Sequence, residues 1–178
     1  MRSLIHIFCI SLEKLTEKLG LVISWFTVLM VVIMTAVVIL RYGFNLGWIG
    51  MQESIVYLHA CVFMLGCGYA LKHNSHVRVD VFYRKLSPKR QAIIDFFGCL
   101  LLLMPTLGFI FWASFDYVEQ SWLLSEGSIE AGGLPFVYLL KTLLLLMPLT
   151  LFLQAIVMLL RAAITVFPAF LAPHPKEF

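Results

Sequence analysis

Charge is what this sequence has least of. Only 13% of its 178 residues are Asp, Glu, Lys or Arg, whereas 61% are hydrophobic. Average globular domains carry about 25% charged residues. A water-soluble domain needs a charged surface, so composition places the chain in the membrane class and leaves no room for a separate soluble domain. Enzyme signatures are missing too. There is no GxxxxGK[ST] loop, no HExxH and no nucleophile–base pair at a recognisable spacing. No catalytic residue is expected, and no nucleic-acid partner.

Cofactor chemistry is equally thin. Cys9, Cys61, Cys67 and Cys99 form no CxxC pair and all sit in apolar segments. That excludes a disulfide framework or a zinc site and leaves them as small packing residues. His59 lies inside an apolar run, but a haem held by two histidines needs a second one at that depth. His6, His73, His76 and His174 all lie outside the runs. No metal and no cofactor is expected, and His59 reads as a packed or hydrogen-bonded side chain.

What is present is a set of long apolar runs. The pattern predicts an all-α integral membrane protein, a single domain over 1–178, with four transmembrane helices at about 21–40, 54–71, 92–115 and 136–160. Residues 21–40 hold no charge at all. Twenty residues make about 30 Å of helix, enough to cross a bilayer. Before them, residues 1–20 form an amphipathic segment. Leu4, Phe8, Leu12, Leu15 and Leu19 recur at helical spacing, with Glu13, Lys14, Glu17 and Lys18 mostly on the other side. Two readings stay open: a helix lying on the cytoplasmic membrane surface, or an extension of the first span. Glu13 and Glu17 stand where the apolar core of a cleaved signal peptide should be.

Three glycines and Asn45 break the chain between Arg41 and Glu53. Glu53 is expected at the start of the second helix, where a carboxylate meets the positive end of the helix dipole. Ala60, Cys61, Cys67 and Gly68 form a small-residue face for close approach of another helix. The connector that follows is strongly basic. Lys72, Arg78, Arg84, Lys85, Lys89 and Arg90 stand against Asp80 alone, which predicts a cytoplasmic loop with both termini on the same side. Asp80 is a candidate N-cap for a short helix through Leu86, and Ser87-Pro88 is a start signal for the third span. Pro105 should kink that span. Asp116, Glu119, Glu126 and Glu130 then follow with no base until Lys141, which marks the outer side. Lys141 either snorkels to the outer headgroups or pairs with Glu53 or Glu130. Pro148 falls mid-span in the fourth helix, and 162–178 forms an irregular tail.

The four cores carry no Asp, Glu, Lys or Arg near their centres; Gln154 is the main deep polar side chain. A carrier that works alone shows ion-binding groups at the midplane. The residues therefore describe a helical partner subunit. A membrane anchor of a respiratory complex and a stand-alone small carrier or channel are the rival readings.

Several strings together carry a resemblance: RYGFN with Trp48 and Glu53, YALKHNSHVRVDVFYRKLSP, YVEQSW, EGSIEAGGLPFVYLLKTL, and Gln154 with Arg161. In this order the chain resembles the small membrane subunit of TRAP (tripartite ATP-independent periplasmic) transporters, from about Leu21 to Arg161. The HVRVD loop and the GGLP-to-Lys handover are similar to the mannitol/chloroaromatic-compound subgroup. One departure is Gly50-Met51-Gln52, where many relatives carry a second acidic residue. The resemblance implies a multi-pass protein of the bacterial inner membrane. It implies a partnership with a large permease that holds the sodium and substrate sites, and with a periplasmic binding protein that delivers an organic acid or related solute. The small subunit then braces the scaffold and helps dock the binding protein. Arg41, Trp48, Glu53, His76, Arg78, Asp80, Glu126, Glu130 and Lys141 become scaffold or docking candidates.

Overall fold

The structure is a computed structural model, described for residues 2–76 and 83–167. Arg78 and Asp80, and the short helix expected after Asp80, lie outside the described residues, as does most of the tail. Helix α1 spans Arg2–Phe44, α2 Ile49–Lys72 and α4 Val137–Val166. Helix α3 runs Pro88–Leu123 and contains a π-helical stretch at Cys99–Leu103. All four are long and apolar enough to cross a membrane.

The helices alternate in direction, so two ends can be distinguished. The 45–48 and 124–136 connectors share one end, here the acidic end. The start of α1, the close of α2, the start of α3 and the close of α4 share the other, the basic end. Helix α4 is the hub, packing on α1, α2 and α3 in turn, while α1 also packs on α2. A third of the α4 span is buried (33%), against 6% for α1 and for α2. The rest of the apolar surface faces outward, as suits helices in a hydrocarbon solvent.

Local chemistry sets the breaks. Asn45 (φ +53°) and Asn74 (φ +52°) close α1 and α2 in the left-handed region that Asn tolerates. Ser125 (φ +46°) does the same after α3, with the Glu126 N–H returned to the Ser121 carbonyl at 3.0 Å. Ser87 precedes α3 with Pro88 at its first position, as expected. Around Pro105 the helix adapts over Cys99–Leu103, where π-type turns open the ladder just before a residue that cannot donate to it. Cys99 and Leu107 there pack with Ala155 to form the α3–α4 core.

Two close approaches need glycine. A Cβ on Gly68 would stand 3.0 Å from the Thr150 carbonyl oxygen, so α2 rests on the α4 backbone at this point. A Cβ on Gly20 would collide with the Tyr69 ring, which fills the α1–α2 contact.

Helix α1 passes through Gly20 without a break, so residues 2–20 continue the first span. At about 1.5 Å per residue the helix is roughly 65 Å long, twice a hydrocarbon core. Phe8, Leu15 and Leu19 are exposed, whereas Cys9 and Thr16 are buried and Glu13 and Glu17 are half-buried against the bundle. The polar stripe meets protein, because its partners stand on α2 and α4.

Candidate functional site

The acidic end holds the most built arrangement of polar groups. Glu53 lies in the second turn of α2, since the helix begins at Ile49; it therefore does not occupy the dipole position expected for it. Its carboxylate instead organises the 124–136 loop. One oxygen accepts from the Ser128 hydroxyl, and the other accepts the Leu134 backbone N–H at 2.6 Å. The loop folds on itself around that anchor. Ser128 N–H donates to the Leu134 carbonyl at 3.0 Å, Gly133 N–H donates to Glu130, and Gly132 takes φ +83°. The Gly50 N–H then donates to the Gly132 carbonyl at 3.1 Å, joining the first turn of α2 to the loop.

Lys141 is mostly buried, at 15% side-chain exposure, so it does not simply snorkel. It pairs with neither Glu53 nor Glu130. Its ammonium bonds the Glu126 carboxylate and lies 4.0 Å from the centroid of the Tyr117 ring. Lys141 is one turn into α4, and the chain reversal after α3 brings Glu126 closer than either expected partner. Glu126 also accepts from the buried Ser121 hydroxyl at 2.6 Å. The Lys141 bond first, and then the Ser121 bond, hold the Glu126 carboxyl below its usual range. Trp122 N–H donates to Thr142 at 2.9 Å, again tying α3 to α4.

Internal bonding thus divides the four acids of the outer segment. Glu126 is half-buried and paired, whereas Asp116, Glu119 and Glu130 are exposed. Beside them Ile129 is fully exposed at 99%, and Leu123 and Leu124 are exposed too. Arg41 and Trp48 are exposed at the same end. The small-residue face is mixed: Gly68 is buried against α4, while Ala60, Cys61 and Cys67 are half-buried. Cys67 bonds within α2, to the Phe63 carbonyl at 3.2 Å. His59 is exposed and stacks on Phe63.

The basic end carries groups that the sequence left unassigned. Glu17 bonds Lys72 and His73, and Glu13 bonds Arg161 at 2.7 Å. Lys72 also donates to the Glu13 carbonyl at 3.1 Å. These ties clamp α1 to α2 and α4. The only signal for them was acids on the α1 stripe facing bases at two distant helix ends. His76 is exposed and enters none of them.

Comparison with known proteins agrees with this layout. No solved structure matches the chain. A protein of Haemophilus influenzae (strain ATCC 51907 / DSM 11121 / KW20 / Rd) named as a TRAP transporter small permease protein is 31% identical over 139 residues, covering 76% of this chain and 77% of that one. Residues 30–165 match the family model for the DctQ component of tripartite ATP-independent periplasmic transporters. Members of this family are transporter subunits that work with a large permease and a binding protein; they are not enzymes. The chain, with its four membrane-length helices, belongs to the DctQ family of TRAP transporter small permease subunits.

Proposed function

We propose that this subunit belongs to a sodium-driven inner-membrane transporter for organic acids or related solutes, of the mannitol/chloroaromatic-compound type. Its basic end lies in the cytoplasm and its acidic end in the periplasm. It braces the large permease, and the 124–136 loop with the end of α3 helps receive the binding protein.

The observation that carries the docking role is the division of the acids. Glu53 and Lys141 fix the loop from beneath, while Asp116, Glu119 and Glu130 remain on the surface around the bare Ile129. A rigid, negatively charged, partly apolar surface suits a partner with a basic patch, and such charges raise the encounter rate. Exposed charges are screened over about 10 Å at 0.1 M salt, so the effect is salt-dependent. The test is uptake by both membrane subunits in liposomes, titrating the binding protein at two salt concentrations. Reversing Asp116, Glu119 and Glu130 to Lys weakens uptake at limiting binding protein and low salt, and the loss shrinks at high salt. An unchanged titration at both salts removes the docking role.

A further inference from the structure

Helix α2 carries an unanswered polar group on its outward face, inside the membrane span. Rise along the helix puts His59 about 9 Å past Glu53 and roughly 20 Å before Lys72. Glu53 and Lys72 mark the two levels at which α2 finds charged or hydrogen-bonding partners, and the distance between them matches a hydrocarbon core. His59 lies between those levels and is exposed. It stacks on Phe63, one turn deeper, with 6.4 Å between ring centroids. Among the described residues its ring nitrogens make no hydrogen bond and no ion pair. A neutral imidazole has one donor and one acceptor, and lipid tails can answer neither. Ionisable side chains inside a membrane face protein or a water-filled cavity.

The surface around His59 has the shape a neighbouring helix needs. Val56 and Phe63 flank it at helical spacing and are both exposed. Gly66 follows seven residues after His59, back on the same face, and a Cβ there would meet nothing within 4 Å. Gly68 is closed by α4, so Gly66 is an opening that α4 does not use. Beside this strip a groove of about 290 Å³ lies between α1 and α2, lined by Met30, Val31, Met34, Thr35 and Ile55. Ile55 stands one turn before His59 on the same side of α2. Small residues let membrane helices approach closely, and methionines adapt to the shape of a partner. The α1 and α2 spans are also the least buried of the four.

We infer that this α1–α2 face receives a transmembrane helix of the large permease, which passes close to Gly66 and offers His59 a hydroxyl, carboxamide or backbone carbonyl. The inference rests on the proposed bracing of the large permease and says which side of the subunit does it.

The experiment co-expresses the two membrane subunits. A photo-crosslinking benzoylphenylalanine is placed at Val56 or Phe63 on α2 and, separately, at Leu102 or Phe109, which are exposed on α3. The α2 probes crosslink to the large permease and the α3 probes do not. A second readout compares the affinity between the purified subunits with the unfolding temperature of this full chain alone. His59→Leu weakens the association about three- to twentyfold, the range for one interhelical hydrogen bond in a membrane. It leaves the unfolding temperature of the isolated chain unchanged or higher. His59→Gln, which keeps a donor and an acceptor, restores most of the affinity. Gly66→Leu weakens the association without lowering the unfolding temperature of the isolated chain. If the subunits co-purify while the α2 probes reach only a second copy of this chain, or do not reach the permease at all, the face is wrong and the bracing stands. Unchanged affinity in both His59→Leu and Gly66→Leu overturns the face in the same way. If the subunits do not co-purify, the bracing falls and the inference falls with it.

Discussion

Single residues at the acidic end make the sharpest measurable claims. The carboxyl of Glu126 is lowered in the folded state, chiefly by Lys141. Its contribution to stability is therefore fully present above the ordinary glutamate pKa, near 4.3, and is lost as pH falls through the lower folded value. Lys141→Met should lower the unfolding temperature at pH 7. The gap to the unsubstituted protein should stay constant down to about pH 5 and narrow as pH falls below about 4. A gap independent of pH would show that Lys141 acts by packing on Tyr117 and not by pairing. Tyr57 makes a different prediction. Its hydroxyl is buried with no partner among the described residues. Removing an unsatisfied group is neutral or stabilising, so Tyr57→Phe should leave the unfolding free energy unchanged or raise it by up to about 1 kcal/mol. A loss on this substitution would reveal a bound water or partner at that hydroxyl. These pairings were poorly legible in the sequence. Lys141 stood out as a lone base after four acids, but choosing Glu126 over Glu53 or Glu130 depends on how the chain turns after α3, and Ser125 in the left-handed region gives no strong sequence signal.

At the scale of elements, the helices were legible because each leaves a physical mark. Asn45 among glycines, Ser87 before Pro88 and Gly132-Gly133 before Pro135 all break or start helices by known backbone chemistry. The faces of the helices were not legible to the same degree. A leucine stripe on residues 4–19 fitted a surface helix or an extension of the first span alike, because in a bilayer the apolar side faces outward as readily as inward. Glu13 and Glu17 found bases 148 and 55 residues away, which no local period reveals. The small residues of α2 were easier, and Gly68 is the member that touches backbone. Gly68→Leu should cost about 1–3 kcal/mol or more by driving α2 off Thr150, while Cys61→Leu, at a half-buried position, should cost less. Thermal unfolding of the two variants checks the order; equal losses would deny Gly68 its special place.

For the whole molecule, alternation of four helices puts the start of α1, the close of α2, the start of α3 and the close of α4 together, leaving the acidic loop opposite. With the basic end inside, single cysteines at His76 and Arg84 on a cysteine-free background should react only with membrane-permeant reagent in intact cells. A cysteine at Ser125 should react with impermeant reagent. The reverse pattern would invert the topology and remove the periplasmic surface from the proposed function. The expectation of this orientation rests on Lys and Arg counts, which act through the whole membrane and not through any one contact.

The pair between Glu13 and Arg161 has a consequence for how the protein is made. Its two members are 148 residues apart, one on the first helix and one on the fourth. At about 5–20 residues per second, the carboxylate waits roughly seven to thirty seconds for its guanidinium. By the middle of that interval α1 and α2 are complete, yet the Gly68 groove has no Thr150 backbone to close on and Thr16 has no Gln154. A ribosome that stops short of α4 leaves a membrane intermediate with polar groups exposed along its first helix. The helix that occupies the centre of the bundle is also the one translated after the other three.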